Sequence, residues 1–198
     1  MSPDTSIYDF FVKDDNLETA MELSENIKEF KKDMHKLFWS EFNSQLSLKI
    51  KSSSFSAEWK LIPYPLTRPL KDWQKSFLSP THHLREKPNY LMFCFGQGGP
   101  EGGYPLFWGV RCNDQPKEFY SLETDSLSAK LVSKGISITE QNWINWGWYK
   151  RTIYSGDTLR RIYLDRTGLI EEITKNICDL FSEIRPFMEQ INTEIATN

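Results

Sequence analysis

The chain has 198 residues, a net charge of −3, and a composition that is 39% hydrophobic and 14% aromatic. This composition supports a folded core and excludes an intrinsically disordered chain. The slightly acidic balance excludes a uniformly basic nucleic-acid-binding protein, although a local basic surface remains compatible with it. We therefore expect a single domain over residues 1–198.

The cysteine pattern and hydropathy predict a cytoplasmic protein with no membrane partner. Cys94, Cys112 and Cys178 are an odd number without close spacing, which favours a reduced compartment over a disulfide framework. The opening MSPDTSIYDFF is acidic and polar, unlike a secretory leader. No segment has the roughly 18 consecutive apolar residues of a membrane-spanning helix.

A long helix is predicted over residues 16–46, after a lead segment over residues 1–15. Asp15 and Glu18 have the spacing of a capping box. Apolar residues then recur every three or four positions, which predicts one buried seam. The seam consists of Ala20, Leu23, Ile27, Phe30, Met34 and Leu37.

Residues 47–164 are predicted to be mostly β-structure with one short helix. The helix spans residues 121–134, and Gly135 closes it as a left-handed cap. Strands are predicted from apolar alternation and β-formers between turn signals. They cover residues 47–51, 55–62, 90–95, 104–112, 143–154 and 158–164.

A second long helix is predicted over residues 167–196, opened by Thr167, with Pro186 expected to kink or split it. Its seam consists of Ile170, Ile173, Ile177, Leu180, Ile184, Phe187, Ile191 and Ile195. The predicted fold class is α+β, with an antiparallel sheet of about five strands flanked by two long amphipathic helices. The two seams are expected to pack on each other or on a second copy of the chain.

The glycine-rich segment GQGGPEGG, residues 96–103, holds five of the ten glycines. Gly98 and Gly103 have the spacing of a phosphate-binding loop, but Tyr104 and Pro105 replace its lysine and its serine or threonine. The segment is followed by a predicted strand instead of a helix whose N-terminus would bind an anion. We interpret it as the tip of a hairpin.

No metal site and no cofactor is predicted. His82 and His83 lie in a proline-flanked segment, and His35 lies on the first helix. None of them has a cysteine or carboxylate at the spacing of a metal site, and neither HExxH nor CxxC occurs.

Glu58 and Lys60 are weak catalytic candidates. In an extended strand they project to the same face, as in the E-x-K half-motif that holds a metal and a lysine in restriction-type nucleases. The preceding strand supplies no further carboxylate, and Pro3-Asp4 lies beyond the long helix. We favour an exposed cross-strand ion pair as the interpretation of the two residues, so the sequence argues against an enzyme.

The segment from Trp143 to Arg166 interleaves aromatic and basic side chains and is the main candidate for binding nucleic acid. If residues 155–157 turn a hairpin, its basic residues approach one another on paired strands. Such a ribbon contacts phosphates and stacks on bases; alternatively, the tryptophans are buried and the arginines are solvated or paired with Glu171 and Glu172. The candidate residues are Lys150, Arg151, Arg160, Arg161, Arg166, Trp148 and Tyr149.

Four segments together resemble the accessory C-terminal region of bacterial PD-(D/E)XK-type nucleases. They are FWSEF (38–42), YPLFWGVRC (104–112), WINWGWYKR (143–151) and FSEIRPFMEQI (181–191). Such regions occur in restriction and phage-defence proteins. The resemblance implies a sheet-plus-helix unit that supports recognition or assembly, and it carries over no catalytic residue.

Three functions follow as hypotheses. The first is a non-catalytic binding or assembly module in a nucleic-acid-linked process, such as phage defence or its inhibition. The second is a protein–protein adaptor or inhibitor that self-associates through its helices as a homo-oligomer. The third is a divergent metal-dependent nuclease that uses Glu58 and Lys60.

Overall fold

The computed structural model describes residues 14–63, 74–80, 90–98, 104–112, 124–140, 143–153 and 155–197. Its helices are α1 (Asp14–Lys51), α2 (Thr124–Ser133), α3 (Gly156–Leu164) and α4 (Arg166–Thr197). Its strands are β1 (Trp59–Ile62), β2 (Gln74–Pro80), β3 (Leu91–Gln97), β4 (Pro105–Cys112) and β5 (Trp143–Thr152). The mixture of helices with an antiparallel sheet confirms the α+β class.

The strands pair antiparallel in chain order, from β1 to β5. In the register of β3 on β4, Phe93 lies opposite Val110. Because side chains alternate between the faces of a strand, Phe93 and Phe95 enter the main core while Cys94 points to the other face. On that second face Cys94 packs with Phe107 and Trp146.

Helix α4 covers the first face of the sheet, and its predicted seam is buried. Phe181 contacts the rings of Phe55, Trp59 and Phe93 at centroid distances of 5.0, 4.9 and 5.9 Å. Pro186 lies inside α4, which continues through it without a break, so of the two predicted effects only a kink is compatible with the helix. The buried seam residues are Ile170, Ile173, Ile177, Leu180, Ile184 and Ile191, with Phe187 and Ile195 partly buried.

Two side chains of α4 also satisfy polar groups of the sheet. The amide of Asn192 accepts a hydrogen bond from Leu91 N (2.7 Å) and donates one to Leu91 O (3.2 Å). The indole N–H of Trp59 donates to Glu189 at 2.8 Å. These bonds fix the position of α4 along β1 and β3, because an unpaired buried polar group is costly.

Helix α2 (Thr124–Ser133) ends as the sequence predicts, and residues 121–123 of the predicted helix lie outside the described residues. Gly135 has φ +78°, a left-handed conformation that glycine adopts without a steric penalty. Its N–H bonds to Val132 O, and Ile136 N bonds to Leu131 O, which is the Schellman pattern.

The strand predicted over residues 47–51 is helical instead. Residues 47–51 continue α1, because Leu46 and Ile50 are buried one turn apart while Leu48 is exposed. The strand predicted over 55–62 is confined to residues 59–62.

Residues 156–164 form α3 instead of the predicted hairpin turn and basic strand. The Ser155 hydroxyl accepts a hydrogen bond from Thr158 N at 3.2 Å and so caps the helix. Thr158 and Ile162, four residues apart, are the buried residues of α3. The sequence therefore has helical periodicity here, and the serine begins a helix instead of a turn.

The seam predicted on α1 is not buried. The buried side chains of α1 are confined to residues 35–50, and no residue from 16 to 34 is buried. The helix has 38 residues, or roughly 57 Å at about 1.5 Å per residue. Only its second half packs on the sheet and on α4, and it does so through another face, which leaves Leu23, Ile27 and Phe30 of the predicted seam in contact with solvent.

The close approach of β4 and β5 makes Gly109 sensitive to substitution. A Cβ at this position would lie 2.5 Å from Asn145 O and 2.7 Å from Trp146 Cα, both backbone atoms. We expect Gly109→Ala to lower the free energy of unfolding by about 1–3 kcal/mol through overpacking. Gly156→Ala is the matched control, because a Cβ there meets no atom within 4 Å. Equal midpoints for the two variants in urea unfolding would contradict this explanation.

Candidate interaction surfaces

The first surface is an exposed apolar row on the first half of α1, which we call the α1 stripe. Its residues are spaced four, three and seven positions apart, so they lie on one face of the helix. A helix that packs along its whole length buries such a row, and here the row is open to solvent. The residues are Leu23 (53% exposed), Ile27 (45%), Phe30 (43%) and Leu37 (38%).

A ring contact connects the stripe with α3. The ring of Phe30 lies 6.4 Å from that of Tyr163 on α3, centroid to centroid. Tyr163 is itself 68% exposed, and the adjacent Leu164 is 65% exposed. The apolar surface thus extends from α1 toward the end of α3. Contiguous exposed apolar surface of this kind marks an interaction site more often than isolated exposed residues do.

Ion pairs within α1 support the helix itself. Lys28, Lys32 and Lys36 each contact the carboxylate three residues earlier, at 3.4, 2.5 and 3.6 Å. All of these side chains are at least 42% exposed, so each pair adds little to the stability of the helix. The first half of α1 therefore has helical support of its own but little tertiary packing.

The second surface contains the residues predicted to bind nucleic acid, and the structure pairs two of them with carboxylates. Arg151 contacts Glu172 at 2.8 Å, and Arg161 contacts the other Glu172 oxygen at 2.6 Å. Asp157 and Asp165 complete the group, each 3.3 Å from one arginine. The two arginines do come together, but through Glu172 on α4 instead of a hairpin.

The pKa values of Glu172 and Arg161 are shifted in the directions that favour the ion pairs of this arginine–carboxylate cluster. Hydrogen bonds from Arg161 and then Arg151 lower the pKa of Glu172, while partial burial opposes the shift. The same hydrogen bond to Glu172 raises the pKa of Arg161. Both arginines are therefore paired with Glu172, and their role is to join α3, β5 and α4.

Arg166 and Tyr149 are also held within the fold. Arg166 Nε lies 2.6 Å from Glu41, which ties the start of α4 to α1. Tyr149 is buried, and its hydroxyl accepts a hydrogen bond from the Asn176 amide at 2.8 Å. Burial raises the pKa of Tyr149, so the hydroxyl stays neutral at physiological pH.

Three predicted residues remain at the surface: Lys150, Arg160 and Trp148. Trp148 is 46% exposed, and within the described part of the chain neither Lys150 nor Arg160 forms an ion pair. Next to Trp148 is a cleft of about 530 Å³. It is lined by Trp108, Lys134, Gly135, Trp148, Tyr149, Lys150, Arg151, Glu172 and Asn176.

The catalytic candidates do not share a strand face. Glu58 lies in the turn before β1 and contacts Arg185 at 3.5 Å, whereas Lys60 is exposed on β1. No group of three histidine, cysteine, aspartate or glutamate residues suited to a metal occurs in the described ranges. Glu58 is therefore explained by its ion pair with Arg185 on α4.

The glycine-rich segment connects two antiparallel neighbours, β3 and β4, as a hairpin loop does. Residues 99–103 lie outside the described residues, as do His82 and His83. Tyr104, which ends the loop, has φ +61°, and Gly98 N donates to Pro105 O at 2.7 Å. The element after the loop is a strand, so no helix N-terminus follows the glycines.

A buried polar group lies where α1 crosses β3. His35 Nε2 lies 2.5 Å from Gln97 Oε1, to which the Trp39 indole N–H also donates at 2.7 Å. His35 and Gln97 are fully buried. Burial lowers the pKa of His35, although the hydrogen bond with Gln97 opposes the shift. Sequence reasoning missed this group, because only the fold brings position 97 next to α1.

Comparison with family models, with curated proteins and with solved structures gives no match to this chain. Among the described helices, none combines the length and apolar character needed to cross a membrane. Function is therefore argued from the surfaces themselves.

The buried His35 makes stability depend on pH. Its folded-state pKa lies below the ordinary value of 6.5, so the unfolded chain binds a proton that the folded chain rejects. The free energy of unfolding should therefore fall as pH drops through the unfolded pKa toward the folded pKa, by up to about 1.4 kcal/mol per pH unit.

The measurement is urea unfolding of the wild type and His35→Gln between about pH 7.5 and 5. We expect a shallower pH slope in the variant. His82 and His83 are present in both chains, so their contribution cancels in the difference. Parallel slopes would show that His35 does not generate the pH dependence.

Proposed function

We propose that the protein is a non-catalytic protein–protein interaction module that binds its partner through the α1 stripe. One observation carries the proposal: the regular apolar seam on α1 is left exposed by the chain's own fold, with Leu23, Ile27 and Phe30 at 53%, 45% and 43% exposure. Helix-in-groove and coiled-coil recognition use side chains at this spacing.

At the other candidate sites, several of the charged residues are paired within the fold, which supports this choice. Arg151 and Arg161 are paired with Glu172, and Glu58 is paired with Arg185. The nuclease hypothesis, which needs Glu58 and Lys60 on one face with a further carboxylate, receives no support from this geometry. The nucleic-acid-linked setting, such as phage defence or its inhibition, stays a prediction that rests on the resemblance alone.

The proposal is tested by comparing Ile27→Glu with Met21→Glu. Both variants place one carboxylate on the exposed half of α1, but Met21 lies about 120° around the helix from Ile27. We expect neither to change the free energy of unfolding by more than about 0.5 kcal/mol, because both residues are exposed. Only Ile27→Glu should abolish complex formation.

Complex formation is followed as solution mass by light scattering and as co-purification from extracts of the source cells. A complex lost in Ile27→Glu and kept in Met21→Glu supports the proposal, whatever the partner. Equal behaviour of the two variants in both measurements would contradict it. A large loss of stability in Ile27→Glu at a concentration too low for association would show that the stripe packs within the chain.

A second candidate function is contact with single-stranded nucleic acid at the cleft beside Trp148. The observation that favours it is an exposed tryptophan next to Lys150, with Arg160 exposed on α3. Aromatic stacking combined with phosphate contacts is the usual mode of such binding.

This second candidate predicts affinity for labelled single-stranded DNA or RNA that falls with salt. Lys150→Glu combined with Arg160→Glu should reduce the salt slope by about two, one for each lost phosphate contact. Arg161 is unsuitable for this test because its substitution would also disrupt the contact with Glu172. Absence of binding at low salt would exclude this function.

A further inference from the structure

We infer that the partner of the α1 stripe is a second copy of this chain, and that the two α1 helices pair antiparallel. This inference rests on the proposed function, because it identifies the occupant of the same surface. Two features of the exposed half of α1 support antiparallel self-pairing: its charge distribution and the register of its apolar residues.

The charges on α1 are separated into two blocks. Residues 14–26 contain five carboxylates and no lysine or arginine. Residues 27–37 contain four lysines and two carboxylates, a net charge of +2. A second copy in antiparallel orientation places each acidic block beside a basic block, whereas parallel pairing places like charges together. The carboxylates of the first block are Asp14, Asp15, Glu18, Glu22 and Glu25, and the lysines of the second are Lys28, Lys31, Lys32 and Lys36.

The apolar residues define a register for this pairing. Spacings of three and four along α1 alternate as in the core positions of a coiled coil. In the antiparallel register centred between residues 28 and 29, Ile27 faces Phe30 of the second copy, and Leu23 faces Met34 of the second copy. Ala20 faces Leu37 of the second copy at either end, so every core position on one helix meets a core position on the other.

The burial pattern is compatible with this pairing. Within the register, Met34 is already partly buried against the core of its own chain, while Leu23, Ile27 and Phe30 are 43–53% exposed. The exposed tyrosine beside Phe30 widens the apolar surface on one side. The charged pairs within α1 are exposed surface pairs, so rearranging them against a second helix costs little.

Self-association is tested first by light scattering on the purified full-length protein over a range of concentrations. A reversible dimer that Ile27→Glu dissociates and Met21→Glu preserves is expected. The dimer should weaken as ionic strength rises, because the attraction between opposite blocks is screened. A protein that stays monomeric while Ile27→Glu still blocks capture of another protein would overturn this inference and leave the proposed function standing.

Charge reversal distinguishes the two orientations. In the antiparallel dimer, Glu22→Lys combined with Glu25→Lys lowers the charge of the acidic block from −5 to −1 and places two lysines beside the basic block, so it should weaken dimerisation by at least about tenfold. In a parallel dimer the same variant relieves repulsion between the acidic blocks and strengthens association. Strengthened or unchanged dimerisation would therefore contradict antiparallel pairing.

Crosslinking with a short bismaleimide gives a direct test of orientation. In the proposed register the two copies of Ala20 lie about 25 Å apart along the axis, so Ala20→Cys alone should not crosslink. A mixture of Ala20→Cys with Leu37→Cys should crosslink as a heterodimer. Cys178→Ser provides the background, because Cys94 and Cys112 are buried while Cys178 is partly accessible. Crosslinking of Ala20→Cys with itself would establish parallel pairing instead.

Discussion

The packing of α4 across the sheet is the interaction on which the rest of the structure depends. Its buried isoleucines and Phe181 form one side of the main core, and β1, β3 and α1 form the other. Burying a side chain of this size contributes about 1.5–3 kcal/mol, so a row of them dominates the local energetics. Asn192 and Glu189 add polar contacts that fix where along the sheet the helix lies.

Helix α4 also supplies the carboxylate that pairs with two arginines of the basic segment, residues 143–166. Glu172 projects from α4 toward β5 and α3, and it binds Arg151 and Arg161 together. Two positive charges that could contact phosphates are thereby used to join three elements of the fold. What remains for an external anion is Lys150 and Arg160, next to a half-exposed tryptophan. This distribution makes nucleic-acid binding the second candidate function.

Helix α1 carries two apolar faces, one buried and one exposed. From His35 onward its apolar face packs on the core, with Trp39 and Phe42 in contact with Phe95. The α1 stripe lies on another face, rotated on average by roughly 130° about the helix axis from the buried one. No residue from 16 to 34 is buried, so the first half of α1 carries an exposed apolar row. The separated charge blocks on that part favour a second copy as the partner.

Much of the local structure could be predicted from the sequence. The α4 seam, the Gly135 cap, the hairpin strands around the glycines and the α+β class depend on periodicity and on backbone preferences that act over a few residues. The periodicity of α1 was visible in the same way, but whether its seam is buried was not. Burial depends on which elements lie within reach, and that is a property of the whole chain.

The tertiary structure alone decided the remaining features. The sequence predicts strands over residues 47–51 and 158–164, because a short apolar alternation fits a strand as well as a helix. The burial of Ile50 and Ile162 in the fold resolves the choice in favour of helices. The pairing of Arg151 and Arg161 with Glu172, and of Glu58 with Arg185, joins residues from 11 to 127 positions apart. The sequence by itself determined the charge blocks and apolar spacing of α1. The fold decided that this surface is exposed, because the core packs on the other face of α1 and no residue from 16 to 34 is buried.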